Sequence, residues 1–137
     1  MRFLSKEVVV ENLNLIVEKS RIVMERSREI MTYHDFLITP ARVEKFDAAC
    51  MLVQVIGELA RKIDNGTSSL LFVHYPQVYW RGVFGLRNII SHEYCNIDPE
   101  SVFKVIKKYL PELEACVEGI LKDIEEGKHD ALFGENR

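Results

Sequence analysis

The stretch KEVVVENLNLIVEKSRIVMERSREIM, residues 6–31, decides the fold class. Val9, Leu13, Ile16, Ser20, Val23, Ser27 and Ile30 step by alternating fours and threes, which places them on one face of a helix. Val10, Val17, Met24 and Met31 form a second row, and Val8, Leu15 and Ile22 a third. An apolar surface that wide predicts burial on more than one side, by several neighbouring helices or by a partner subunit.

The same period continues down the chain. After a linker at 32–39, Thr39-Pro40 reads as an N-cap followed by proline at the first helical position. It opens a second helix running to about Ile63, with Val43, Phe46, Cys50, Val53, Gly57 and Ala60 as its narrow face and Asn65-Gly66 as its stop. Residues 67–78 predict a short helix or turn, broken before Pro76. A third main helix is expected from about Tyr79 to Tyr94. Asp98-Pro99 repeats the cap-plus-proline signal and opens the last helix, which Pro111 is expected to kink or split. The tail from about Glu125 is polar and expected to fray, apart from Leu132-Phe133. These elements predict an all-α, up-and-down bundle of four to five helices filling residues 1–137 as one domain.

Composition narrows the function. The 137 residues are 47% hydrophobic and 28% charged, which suits one globular core and excludes a disordered chain. No apolar run is long enough to span a bilayer, and Lys6, Glu7 and Glu11 interrupt the N-terminus too early for a signal peptide. A cytoplasmic protein without membrane association is therefore expected. Cys50, Cys95 and Cys116 are odd in number and form no CxxC pair, so they read as reduced thiols rather than a zinc site. The net charge of −3 excludes nucleic-acid binding by bulk electrostatics, so phosphate chemistry must rest on a few placed cations. The charge is uneven: residues 1–63 carry ten Lys/Arg against nine Asp/Glu, and 64–137 eight against twelve.

YWRGVFGLRNIISHEY, residues 79–94, contains what a plain bundle does not require. On an ideal helix with Arg87 at zero, Ser91 lies at roughly 40° and Tyr94 at roughly −20°, so the three share a face. Asn88 and His92 fall at roughly 100° and 140°, stacked at i, i+4 on the adjoining face. Arg87 and His92 can meet on one substrate atom if the helix end unwinds or if a second copy brings its own cluster alongside, which favours a homodimer with a site at its two-fold axis. The residue types suit phosphodiester cleavage. A neutral imidazole can take a proton from a ribose 2′-hydroxyl, and an arginine can brace the extra charge of the phosphorane-like transition state. A second His92 could protonate the leaving oxygen, and the product would be a 2′,3′-cyclic phosphate. No carboxylate cluster calls for a divalent ion, so metal-independent chemistry without a cofactor is expected.

The spacing Arg-x4-His-x-Tyr at 87, 92 and 94 resembles the signature of the HepT-like toxin family in the HEPN superfamily, whose looser form Arg-Asn-x3-His is met by Arg87, Asn88 and His92. VIGELARKI at 55–63, PQVYWRGVFGLRN at 76–88 and YCNIDPESVFKVIKKYLPELE at 94–114 extend the resemblance over most of residues 40–121. It implies an all-α dimeric ribonuclease toxin with RNA as substrate. The implied partner is an MNT-type nucleotidyltransferase antitoxin that adenylylates the motif tyrosine, here Tyr94. An AMP on Tyr94 would set a phosphate on the face of Arg87 and fill the space meant for RNA. The roles expected are Arg87 as charge stabiliser, His92 as acid/base, Asn88 as its orienter and Tyr94 as modification site.

Blander readings stand beside these. Glu58 pairs with Lys62 at i+4, or points toward the cluster and orients Arg87 or His92; both remain open. Gly57 lets two helices approach closely. Ser91 reads as a small residue at a crowded interface, Arg81 as a phosphate contact or a solvated charge, and Trp80 as packing. Arg21, Arg26 and Arg28 read as one solvated face. His34, His74 and His129 have no partners at ligand spacing and read as incidental. The alternative function is a non-catalytic helical subunit that presents a substrate or nucleotide to a nucleotidyltransferase; a plain dimerisation module is a further rival.

Overall fold

Ser5 opens the first helix: its hydroxyl accepts from the Val8 amide at 3.2 Å and satisfies one of the free N–H groups of the first turn. The structure, a computed structural model, describes residues 4–91 and 97–134, and for 89–91 the backbone alone. Helix α1 spans Lys6–Arg26 and buries Val9, Leu13, Ile16, Val17, Ser20 and Val23, the predicted face. The third row, Val8, Leu15 and Ile22, stays half-buried.

α1 ends five residues earlier than its apolar period suggests. The Asp35 carboxylate accepts from the Met31 and Thr32 amides at 2.8 and 3.1 Å, drawing 31–32 out of the helix and into a 3-10 turn, Tyr33–Leu37. These two bonds hold Asp35 below the usual carboxylate range. Phe36, fully buried, anchors the turn, and Lys107 Nζ donates at 2.8 Å to the Ser27 carbonyl, which also accepts from the Ile30 amide at 3.0 Å. The segment expected as a linker therefore contributes to the core. The helical ladder gives way to tighter turns at residues 28–30, and the Asp35 carboxylate, which periodicity does not register, keeps 31–32 from resuming it.

α2, Pro40–Gly66, begins as the sequence predicts, with Thr39 Oγ1 accepting from the Arg42 amide at 3.1 Å and Pro40 in the first turn. At its end the Thr67 hydroxyl donates to the Ile63 carbonyl at 2.9 Å, and Leu4 donates its amide to the Gly66 carbonyl at 2.9 Å. Residues 67–78 hold a short 3-10 turn, Phe72–His74.

The helix expected over 79–94 is broken. α3, Trp80–Phe84, stops at Gly85, and α4, Leu86–Ser91, restarts beyond it; the last residues of the prediction lie outside the described residues. Gly85, at φ −80° and ψ −6°, sits at the edge of helical geometry, where a residue that lacks a side chain and favours the helix weakly can rest at little cost. Where Pro111 is expected to kink or split the last helix, the helix widens just before it. α5, Pro99–Lys104, passes through a π-helical turn, Val105–Tyr109, into α6, Leu110–Glu125. Pro111 has no amide for the Lys107 carbonyl and its ring would clash there, and the wider turn just before it makes room. α1 packs on α2 and α6, and α2 on α4, so among the described residues every regular element is helical and the core lies between these helices. No described helix is long and apolar enough to cross a membrane.

Two surface residues, Arg21 and His129, have partners that their spacing does not show. Arg21 lies on a solvated face, as expected, and there pairs with Glu114 and, at 2.8 Å, with Glu118, joining α1 to α6. In the tail, Leu132 and Phe133 are the exception to fraying that the sequence predicts. α7, Asp130–Phe133, lays half-buried Leu132 and Phe133 against the core. His129, read as incidental, lies with Nε2 2.7 Å from the Tyr75 hydroxyl, which donates to Asp123 Oδ2 at 2.7 Å. The geometry suits a chain in which His129 donates to Tyr75 and Tyr75 to Asp123.

Burial, then the nearby His74 ring at 5.5 Å, hold the His129 imidazole below its ordinary value. The unfolded chain therefore binds this proton more readily than the folded one. The contribution of His129 to tail docking is complete above about pH 6.5 and is lost as pH falls through the lowered folded value. Amide exchange in 127–134 is expected to accelerate between pH 7 and pH 5 relative to the core of α1 and α2, once corrected for intrinsic rates. A constant ratio would contradict this latch.

Candidate functional site

Gly57 sits in the buried face of α2 where α4 arrives. A Cβ there would lie 3.0 Å from the Val83 carbonyl oxygen, 3.1 Å from Leu86 Cβ and 3.3 Å from the Arg87 amide nitrogen. The missing side chain thus lets α4 seat its first turn directly on α2, the close approach expected of this residue. One residue on, Glu58 emerges at the surface, and Arg87 Nε lies 3.6 Å from its Oε1. Gln54 Nε2 donates to the same oxygen at 3.4 Å. Of the two readings of Glu58, the pair with Arg87 is the one formed. Both side chains are about half exposed, so the pair adds little stability.

Around this pair lies an open cleft of about 720 Å³, lined by Gly57, Glu58, Arg61, Lys62, Asn65, Phe84 and Arg87 together with Leu4 and Gly66. Glu58, Arg61, Lys62 and Asn65 recur at i, i+3, i+4 and i+7, one exposed face of α2. Arg61 and Lys62 have no carboxylate partner among the described residues. Among those residues the cleft therefore carries three cations against one carboxylate, in a chain whose net charge is −3. Its spacing is present in the sequence, but only the position of α4 shows which face of α2 it shares.

The other expected residues are distributed as follows. Asn88 is exposed beside Arg87 on α4, its amide bonded to the Gly85 carbonyl. Arg81 is exposed on α3 and does not line the cleft. Ser91 ends α4 and is described by its backbone alone, and His92 and Tyr94 lie outside the described residues. Trp80 is packing, as expected: it stacks on Phe72 at 3.8 Å and donates to the Tyr75 carbonyl at 2.8 Å. Phe84 follows in this aromatic row, 6.4 Å from Trp80, and brings it to the cleft wall. Cys50 and Cys116 are buried, and burial pushes their thiols up to about 12 and about 11, which removes them as nucleophiles.

Comparison with known proteins adds a family. A family model described as "Ribonuclease HepT-like" matches residues 22–120, a span containing Glu58, the cleft cations and the Arg-x4-His-x-Tyr spacing. A protein of Methanocaldococcus jannaschii named "Putative RNase" is 34% identical over 71 residues, covering 52% of this chain and 62% of that relative. The alignment thus spans less than two thirds of that relative's length. A second "Putative RNase" of the same organism is 30% identical over 96 residues, 70% of this chain and 77% of the relative. A "Probable ribonuclease HepT" of Thermococcus cleftensis is 28% identical over 75 residues, 55% of this chain and 64% of the relative. No solved structure matches.

Proposed function

From the premise that the chain belongs to the HepT-like ribonuclease family of the HEPN superfamily, which the match over residues 22–120 shows, we propose that it is a cytoplasmic, metal-independent endoribonuclease acting as the toxin of a toxin–antitoxin pair. The observation that supports this best is Arg87, held by Glu58 at 3.6 Å on the wall of a cation-rich cleft in an acidic protein. A guanidinium aimed by a carboxylate and open to solvent is placed to meet a phosphate.

In this reading the scissile phosphate of RNA lies against Arg87. His92 takes the proton of the adjacent 2′-hydroxyl, the 2′-oxygen bonds to phosphorus, and the 5′-oxygen leaves with a proton supplied by His92 of the partner subunit. Arg87 stabilises the charge that gathers on the non-bridging oxygens. Asn88, next to Arg87 on α4, orients His92. The products are a 2′,3′-cyclic phosphate and a 5′-hydroxyl. The homodimer supplies the second imidazole, which one helix cannot bring to the same phosphate. Incubation of the purified, unmodified chain with RNA in the presence of a chelator tests this. Cleavage leaving cyclic phosphate ends is expected; intact RNA, or cleavage restored only by added metal, would contradict it.

The same reading makes Tyr94 the acceptor of AMP from an MNT-type nucleotidyltransferase. The added phosphate would pair with Arg87 and the adenosine would occupy the RNA path. Co-expression with such an enzyme is expected to raise the intact mass by whole numbers of AMP and abolish cleavage. Tyr94→Phe is expected to gain no AMP and to remain active under co-expression. An AMP increment on Tyr94→Phe would move the modification to another residue.

A further inference from the structure

Arg61 and Lys62 are not needed by the reaction just described, yet they share the cleft of Arg87 without an ion-pair partner among the described residues. Glu58, the carboxylate that lines the cleft beside them, is engaged by Arg87 and Gln54. Two adjacent cations on a rigid helix, their charge not spent on a neighbouring carboxylate, form a ready site for an extended anion. Across from them Phe84 offers a half-buried ring, backed by the Trp80–Phe72 stack at 6.4 Å and 3.8 Å, and therefore fixed in place. Asn65, one turn beyond Arg61, adds an amide able both to donate and to accept. Cations along one wall and an aromatic on the other is the arrangement that takes single-stranded nucleic acid, phosphates on one side and a base on the other. A duplex keeps its bases inward and presents no base face to Phe84.

We propose that the cleft is a subsite for an unpaired RNA segment flanking the scissile bond, with its phosphates on Arg61 and Lys62 and one base against Phe84. The inference rests on the ribonuclease reading and adds a substrate class to it: loops and single strands over helices. The cleft, about 720 Å³ and open to solvent, has room for one or two nucleotides lying along it.

The test measures binding of a non-cleavable 2′-O-methyl RNA oligonucleotide to the full chain, single-stranded and as a duplex of the same sequence, across a salt series. The wild type is expected to prefer the single strand. The double variant Arg61→Gln/Lys62→Gln is expected to bind it about tenfold more weakly at low salt, with the slope of log K against log salt reduced by about 0.7 for each phosphate that is no longer neutralised. Arg26→Gln, at the opposite end of α1, serves as the control and is expected to match the wild type. Phe84→Leu is expected to weaken binding several-fold and Phe84→Tyr to restore it, which distinguishes stacking from packing.

Equal affinity and slope in the wild type and the double variant would overturn the subsite, whether or not the wild type cleaves RNA. Equal binding of duplex and single strand would overturn the substrate class, and equal binding of a poly-glutamate peptide would reduce the cleft to an unselective anion surface. Binding as expected by a wild type that cleaves no RNA would instead overturn the ribonuclease reading and leave the subsite standing.

Discussion

His92→Ala is expected to lower the rate of RNA cleavage between about 10²-fold and 10⁴-fold, the range that a positioned acid or base contributes. Arg87→Ala is expected to cost about 10²-fold to 10³-fold, as the loss of a group aimed at developing charge does. The two should differ in character. Arg87→Lys keeps the charge but not the planar fork that grips two phosphate oxygens, and is expected to recover only part of the rate. No side chain replaces an imidazole that must both take and give a proton near neutrality. If one His92 acts as base and its partner-subunit copy as acid, the wild-type rate should fall on both sides of a maximum, with both limbs set by the same residue type in two protonation states. Arg87 makes only a half-exposed ion pair, so Arg87→Ala should unfold at nearly the wild-type temperature and its lost activity cannot be ascribed to lost fold. The measurement is the initial cleavage rate of one RNA by equal amounts of folded protein. Wild-type rates in either alanine variant would remove that residue from the chemistry.

How much of this is legible in the sequence follows from what each residue depends on. The buried faces of α1 and α2 depend on period alone, and Val9, Leu13, Ile16, Val53 and Ile56 lie in the core as their spacing requires. Thr39-Pro40 and Asp98-Pro99 are local signals, and both open helices. That 31–32 do not continue α1 escapes periodicity because Asp35, four residues beyond Met31, takes the Met31 and Thr32 amides. The break at Gly85 falls just before α4 seats against Gly57, a contact between residues far apart in sequence. The site divides the same way. Arg87 is readable from its motif, and Glu58 has two readings that only tertiary packing separates. Arg61, Lys62 and Phe84 carry no motif and become visible only when α2 and α4 are placed together around the cleft. The His129–Tyr75–Asp123 chain likewise joins residues about fifty positions apart, beyond any local pattern.

Gly57→Val is expected to be among the most damaging single changes to both fold and site, because the two meet at this position. The first added carbon already lies 3.0 Å from the Val83 carbonyl oxygen and 3.3 Å from the Arg87 amide, and both of these are backbone. A single carbon needs these groups to give by only a few tenths of an ångström, but the two γ-methyls of valine reach further into backbone that cannot rotate away, so α4 itself must shift off α2. Overpacking of this kind costs about 1 to 3 kcal/mol. Gly57→Ala shows the balance more finely: alanine gains about 0.5 to 1 kcal/mol in a helix interior over glycine, which the contact with Val83 and Leu86 opposes, so its stability should lie close to the wild type. The site responds in the same direction as the shift. Glu58 is fixed to α2 and Arg87 to α4, so any displacement between these helices opens the 3.6 Å spacing that aims the guanidinium. Gly57→Val should therefore lose RNA cleavage even at temperatures where circular dichroism shows it still helical, and Gly57→Ala should retain most of it. Thermal unfolding and cleavage measured on the same preparations check the pair. A Gly57→Val protein with wild-type unfolding temperature and wild-type cleavage would show that α4 does not depend on this approach, and the placement of Arg87 would then have to come from elsewhere in the chain.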